Sequence, residues 1–213
     1  MKAAIVSGGV VDDYKLFARE IKKHDIIICA DGGIYHLINV NIRPHIFIGD
    51  FDSSSKDDVA AFIENSDTKI ITHIPEKDDT DTQLCINYAI ENGFSEITLF
   101  ACLGGRVDHQ LSNILNLKYI LDNGAKGVLF SENNIIYVTD NCIEIAKKPG
   151  YKLSVIPLTP VAEGVTIQGT KYPLNEHKMI QGTSLGISNE FDSEIAKIMV
   201  KSGVLLVIVS KDE

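Results

Sequence analysis

The 213-residue chain, with 45% hydrophobic and 23% charged side chains, has the composition of a soluble globular protein of one domain or two small ones. A net charge of −9 leaves no basic block to grip a polyanion, so nucleic acid is excluded as an expected partner. A phosphorylated small substrate remains open, provided divalent cations bridge the two sets of negative charge.

The opening "MKAAIVSGG" predicts a first strand at Ala3–Val6 and not a secretory leader. Further short apolar runs at Ile26–Cys29, Ile46–Ile48, Lys69–Thr72, Ile97–Phe100 and Gly127–Phe130 read as strands. Amphipathic stretches at Asp12–Lys23, Gly33–Asn39, Lys56–Glu64, Thr80–Asn92 and Val107–Asn123 alternate with them as helices. Continuously apolar strands separated by helices imply a parallel sheet covered on both faces. Ligands in such sheets bind at the carboxyl ends of the strands. The polar motifs fall there: "SGG", "ADGG", "GDFDS" and "LGGRVDH" each follow an apolar run.

From about residue 134 the pattern changes to short strands punctuated by Gly and Pro, with Tyr151, Leu153 and Val155 alternating onto one face. This predicts an all-β unit, a sandwich or a partial barrel. Four cysteines (Cys29, Cys85, Cys102, Cys142) show no CxxC spacing, so reduced thiols in a cytoplasmic protein are expected. The longest apolar runs are too short to span a bilayer, and no membrane partner is expected.

Asp50 and Asp52 in "GDFDS" would point the same way on a strand, and two adjacent carboxylates call for a cation between them. The plainer alternative is an acidic turn in which Asp52 and Ser53 cap the next helix. In "KDDTDTQ", Thr80 and Gln83 have capping-box spacing with Asp81 favouring the helix dipole, which leaves Asp78 and Asp79 unexplained. "LGGRVDHQLSNIL" combines glycines that let backbone approach a phosphate with the forked cation of Arg106. On that helix Val107, Leu111 and Ile114 are expected to be buried, with Asp108, His109, Ser112 and Asn113 on a polar side. A structural hydrogen bond is the commoner use of a histidine placed like His109.

Taken in order, "ADGG", "GDFDS", "KDDTD", "GGRVDH" with Asn113 beyond it, and the late "GISNEF" resemble the thiamin pyrophosphokinase family over nearly the whole chain. The resemblance implies a three-layer, parallel-sheet α/β domain at residues 1–133 that binds nucleotide and carries catalysis. A β-sandwich domain at 134–213 would bind thiamin. It further implies transfer of an intact diphosphate from ATP to the hydroxyl of thiamin, giving thiamin diphosphate and AMP, with Mg²⁺. By matching position, Asp50, Asp52 and Asp81 look like the metal and pyrophosphate site, with Asp31 and Asp78 in the same acidic cluster. Gly105, Arg106 and Asp108, grouped with His109, resemble the nucleotide-contacting turn, and Ser188 and Asn189 the thiamin-contacting turn. Asp81 and Asp108 are the candidates to accept the hydroxyl proton. Family members are typically homodimers with sites between subunits. Animal members stack a Trp on thiamin, whereas this chain has no Trp.

Two rival readings remain at this point. Asp-x-Asp after a strand occurs in phosphatases that use the first Asp as nucleophile, but there it follows the first strand, with Thr or Val where Ser54 stands here. A non-catalytic module with a calcium-type acidic site is the other.

Overall fold

The structure is a computed structural model and describes residues 1–51, 54–72 and 79–211. The chain divides into two compact units, Met1–Glu132 and Asn133–Glu213.

In the first unit six strands form a parallel sheet: β1 (Lys2–Val6), β2 (Ile26–Ala30), β3 (Ile46–Gly49), β4 (Lys69–Thr72), β5 (Glu96–Phe100) and β6 (Lys126–Phe130). Their order is β4-β3-β2-β1-β5-β6, every neighbouring pair parallel. Helices α1 (Tyr14–Ile21), α2 (Ile34–Asn39), α3 (Lys56–Ile63), α4 (Asp81–Glu91) and α5 (Val107–Asp122) alternate with them. The chain first moves outward from β1 to β4, then α4 returns it to β5 on the other side of β1. Right-handed crossovers force the helices to change face when that direction reverses. Accordingly Phe17, Ile21, Ile34, Leu37, Val59 and Ile63 of α1, α2 and α3 pack on one face, against Ala4, Val6, Phe47 and Phe100. On the other, α4 packs on β1, β2 and β3, and α5 packs on β6. Burial of both faces explains why β1 reads Ala-Ala-Ile-Val without alternation.

Local chemistry sets the helix starts. Asp13 caps α1, its carboxylate accepting from the amides of Lys15 (2.8 Å) and Leu16 (2.9 Å), so the helix begins two residues later than the pattern predicts. Ser55 caps α3 by accepting from the Asp58 amide at 3.3 Å; Asp52 and Ser53, the expected caps, lie outside the described residues. Asp57 and Asp58 then fill the first turn, where the dipole favours negative charge.

The second unit is a β-sandwich. Strands β7 (Asn134–Thr139), β8 (Cys142–Ala146), β9 (Lys152–Pro157), β10 (Val161–Gln168), β11 (Leu174–Ile180), β12 (Ile195–Met199) and β13 (Leu205–Ser210) are all paired antiparallel, as β7-β13-β9 and β11-β10-β12-β8. Leu153, Val155 and Val207 from one layer meet Val165, Ile167 and Ile198 from the other, and Tyr151 packs at the edge of that core as its alternation predicts. Among the described residues, no helix is long and apolar enough to cross a membrane.

Candidate active site

The carboxyl edge of the parallel sheet gathers three aspartates. Asp31 follows β2 in a one-turn 3-10 helix and is 1% exposed. Asp50 follows β3, and Asp81 is the first residue of α4, whose N-cap Thr80 accepts from the Gln83 amide at 3.3 Å. One carboxylate oxygen from each lies within 4.8 Å of the others. The glycine before Asp50 is what permits this approach, because a Cβ on Gly49 would sit 2.7 Å from the Asp31 Cβ. Ser54 Oγ donates to Asp31 Oδ1 and fixes its orientation.

The cluster differs in one respect from the strand argument. β3 ends at Gly49 and Phe51 takes the left-handed conformation (φ 67°), so the strand's period-two alternation stops before Asp50 and Phe51. Phe51 stacks on Phe47 at 5.2 Å between centroids, which holds the turn. Asp52 and Asp78 lie outside the described residues. Asp31, expected as an accessory member, is the buried member of the described triad. The capping box is half made: Gln83 turns its amide to Asn87 Oδ1 (2.9 Å) instead of back to the cap.

Beneath the cluster, hydroxyl and thiol groups tie β1, α4 and the end of β5 together. Ser7 Oγ and Thr82 Oγ1 share a hydrogen bond of 2.8 Å, and Cys102 Sγ donates to Ser7 Oγ at 3.3 Å. Burial pushes the Cys102 thiol up to about 12, and those of Cys29 and Cys85 well above their ordinary value. The carboxylates of Asp31 and Asp81 add to the shifts of Cys29 and Cys85, respectively. These thiols are therefore packing groups kept protonated. Ser7 and Thr82 sit within "SGG" and "KDDTDTQ", and Ser54 directly follows "GDFDS", but nothing in those patterns singles out the three hydroxyls.

The turn before α5 places Gly104 (φ 86°) and Gly105 (φ 73°) ahead of Arg106, the N-cap. Arg106 closes its fork on Asp108, Nε to Oδ1 at 3.1 Å and Nη2 to Oδ2 at 2.6 Å, in the open. That pairing holds the Asp108 carboxyl at about 2, and the His109 amide bonds the same carboxylate at 2.9 Å. His109 itself is exposed.

The expected buried stripe is overturned: Val107 is 76% and Leu111 56% exposed, and Ile114 is half-buried. Asn113, Asn116, Leu117 and Ile120 face the sheet instead. Asn113, expected on the polar side, is buried and donates to the Cys102 carbonyl at 3.0 Å. Apolar residues lie on more than one side of α5, so periodicity alone does not select the packed face.

In the β-sandwich, Ser188 has a left-handed backbone (φ 56°) and its amide donates to Ser154 Oγ at 3.0 Å. Asn189 next to it is 3% exposed. A cavity of about 600 Å³ beside them is lined by Tyr172, Pro173, Leu174, Thr183, Leu185 and Ile187.

Comparison with known proteins bears on both units. The family model "Thiamin pyrophosphokinase, catalytic domain" matches residues 17–129, and "Thiamin pyrophosphokinase, vitamin B1 binding domain" matches 140–205. The chain belongs to the thiamin pyrophosphokinase family. Thiamine pyrophosphokinase of Bacillus subtilis is 30% identical over 210 residues, covering 98% of each chain. The crystal structure of thiamine pyrophosphokinase from the same organism superposes with a TM-score of 0.89 at 28% identity, covering 100% of both chains. That of thiamin pyrophosphokinase from Geobacillus thermodenitrificans gives 0.85 at 28%, over 100% of this chain and 99% of that one. Family membership makes the chain a kinase-type transferase of thiamin metabolism, and the phosphatase and non-catalytic readings fall away.

Proposed function

We propose that the protein transfers diphosphate from ATP to the hydroxyl of thiamin, giving thiamin diphosphate and AMP, with Mg²⁺ at the acidic cluster. The observation that carries this reading is the convergence of carboxylate oxygens from Asp31, Asp50 and Asp81 within 4.8 Å. The donor set suits the ion: hard oxygen ligands, too few for a full shell, leaving positions for water and phosphate oxygens. Bound there, Mg²⁺ would neutralise charge on the polyphosphate.

The chain's own residues supply the rest. Ser54 holds Asp31, Gly49 allows it to meet Asp50, and Thr80 fixes the start of α4 so that Asp81 faces them. Asp52 and Asp78 extend the same acidic set in the chain. The Gly104–Gly105 turn lets backbone approach a phosphate, and Arg106 exchanges Asp108 for a phosphate oxygen when nucleotide arrives. Asp81 or Asp108 accepts the proton of the thiamin hydroxyl. The cavity beside Ser188 takes the thiamin rings, with Tyr172 as the aromatic surface in a chain that has no Trp. The reading includes a cytoplasmic homodimer, checked by sedimentation of the purified protein.

Incubation with ATP, Mg²⁺ and thiamin, with AMP separated from ADP, tests the reaction. AMP formed together with thiamin diphosphate is the expected result. ADP as the nucleotide product overturns the diphosphate assignment.

A further inference from the structure

The side chain of Asn189 has no hydrogen-bonding capacity left for a ligand. Its Nδ2 donates to the Tyr172 carbonyl at 2.7 Å and to Thr170 Oγ1 at 3.2 Å. Its Oδ1 accepts from the Tyr172 amide at 3.0 Å and the Glu190 amide at 2.9 Å. Two donor hydrogens and two lone pairs are thereby engaged, which is the full complement of a carboxamide. The arrangement also settles which atom is nitrogen, since the Tyr172 carbonyl can only accept and the Tyr172 and Glu190 amides can only donate.

Tyr172 receives the opposite treatment. Its backbone is gripped at both the N–H and the C=O by one buried amide, while its side chain is 61% exposed on the wall of the 600 Å³ cavity. The neighbouring contacts tighten the same segment. Thr170 bridges to Phe191, the Lys171 amide donates to the Glu190 carbonyl at 2.9 Å, and Asn189 exchanges backbone bonds with Leu153. Among the residues lining this cavity Tyr172 alone is aromatic, and the rest are aliphatic, hydroxyl-bearing, glycine or Asn189. The Lys171 ammonium lies 5.5 Å from the ring centroid, so the ring already faces one cation.

We propose that Asn189 is a positioning residue that acts through the Tyr172 backbone, fixing the aromatic ring against which the cationic thiazolium ring of thiamin packs, and that its side chain makes no hydrogen bond to substrate. This rests on the functional reading above and reassigns Asn189 from the substrate-contacting turn. A ring presented in its binding position before the ligand arrives avoids the ordering cost that a mobile side chain would add to every binding event. A carboxamide suits the task because a single side chain satisfies a backbone donor and a backbone acceptor together.

A double-mutant cycle on thiamin binding tests it. Tyr172→Ala and Asn189→Ala are each expected to raise KM for thiamin about tenfold, with KM for ATP unchanged and kcat little altered. The double variant is expected to be no worse than Tyr172→Ala alone, because Asn189 has nothing left to position. Tyr172→Phe, which keeps the ring, restores the wild-type KM. A melt of each variant guards against a folding defect: Asn189→Ala is assayed well below its own melting temperature, where an unchanged KM for ATP reports an intact nucleotide site. Additive effects in the cycle, or loss of ATP affinity to the same degree as thiamin affinity, overturn the positioning role. Absence of thiamin-dependent AMP from the wild-type protein would instead overturn the functional reading, whatever the variants do.

Discussion

Replacing Asp50 with Asn removes one of three like charges that the fold holds together, and the consequence is calculable. At a separation of 4.8 Å and an effective dielectric of about 20, two carboxylates repel by about 3 kcal/mol. Asp50 takes part in two such pairs, with Asp31 and with Asp81. Asp50 and Asp81 are only half-buried, so solvent reduces the sum, and the amide gives up some of the hydrogen bonding of the carboxylate. A net gain of about 1–2 kcal/mol remains, equal to about 2–8 °C in melting temperature for a chain of this size. Asp50→Asn should therefore melt higher than wild type in excess EDTA near neutral pH, while losing most turnover. Saturating Mg²⁺ should raise wild type by about 2–3 kcal/mol through binding linkage and raise the variant by much less. Thermal melts followed by circular dichroism, with and without Mg²⁺, read both effects. A variant that melts at or below wild type in EDTA, or that gains as much from Mg²⁺, would refute the electrostatic reasoning.

Three further outcomes follow from the geometry. Gly49→Ala places a Cβ 2.7 Å from that of Asp31, so it should abolish most activity and the Mg²⁺-dependent rise in melting temperature; retention of both would show that Asp31 is not held where the fold puts it. Titration with a thiol reagent should find one reactive cysteine, Cys142, in the native protein and four after denaturation, since Cys29, Cys85 and Cys102 are buried. His36 bonds the Gly9 carbonyl through Nε2 and the Tyr14 hydroxyl through Nδ1, both at 2.8 Å, and burial holds it below its ordinary value. A depressed histidine binds fewer protons folded than unfolded, so its contribution to stability is present above about pH 6.5 and lost as pH falls below that. The melting temperature should drop between neutral pH and about pH 5.5, and His36→Gln should flatten that slope; an unchanged slope would exclude His36 as its source.

How much of this was legible in the sequence depended on the range of the interaction involved. Strand positions came through within a residue or two, because the central strands are buried on both faces and so apolar throughout, while the exposed edge strand β4 is marked by its β-branched residues. The edge on which the acidic motifs gather also followed from the order of strands and helices, since a parallel sheet aligns all its carboxyl ends. Asn113 and Asn189 were harder: both carry polar side chains that sequence patterning assigns to solvent or ligand, yet both are buried and bonded to backbone 11 and 17 residues earlier, beyond the reach of local periodicity.

The sequence by itself determined a parallel α/β unit followed by a β unit, and an acidic set at one sheet edge, because those properties depend on local periodicity and on connection order. Tertiary structure alone decided that Asp31 is the buried member of the cluster, since Gly49 and Ser54 touch it only across strands. It also decided which side of α5 meets the sheet, where apolar residues on several sides left packing against β6 to choose. Close approach between distant segments selects among faces and partners that local pattern leaves equivalent.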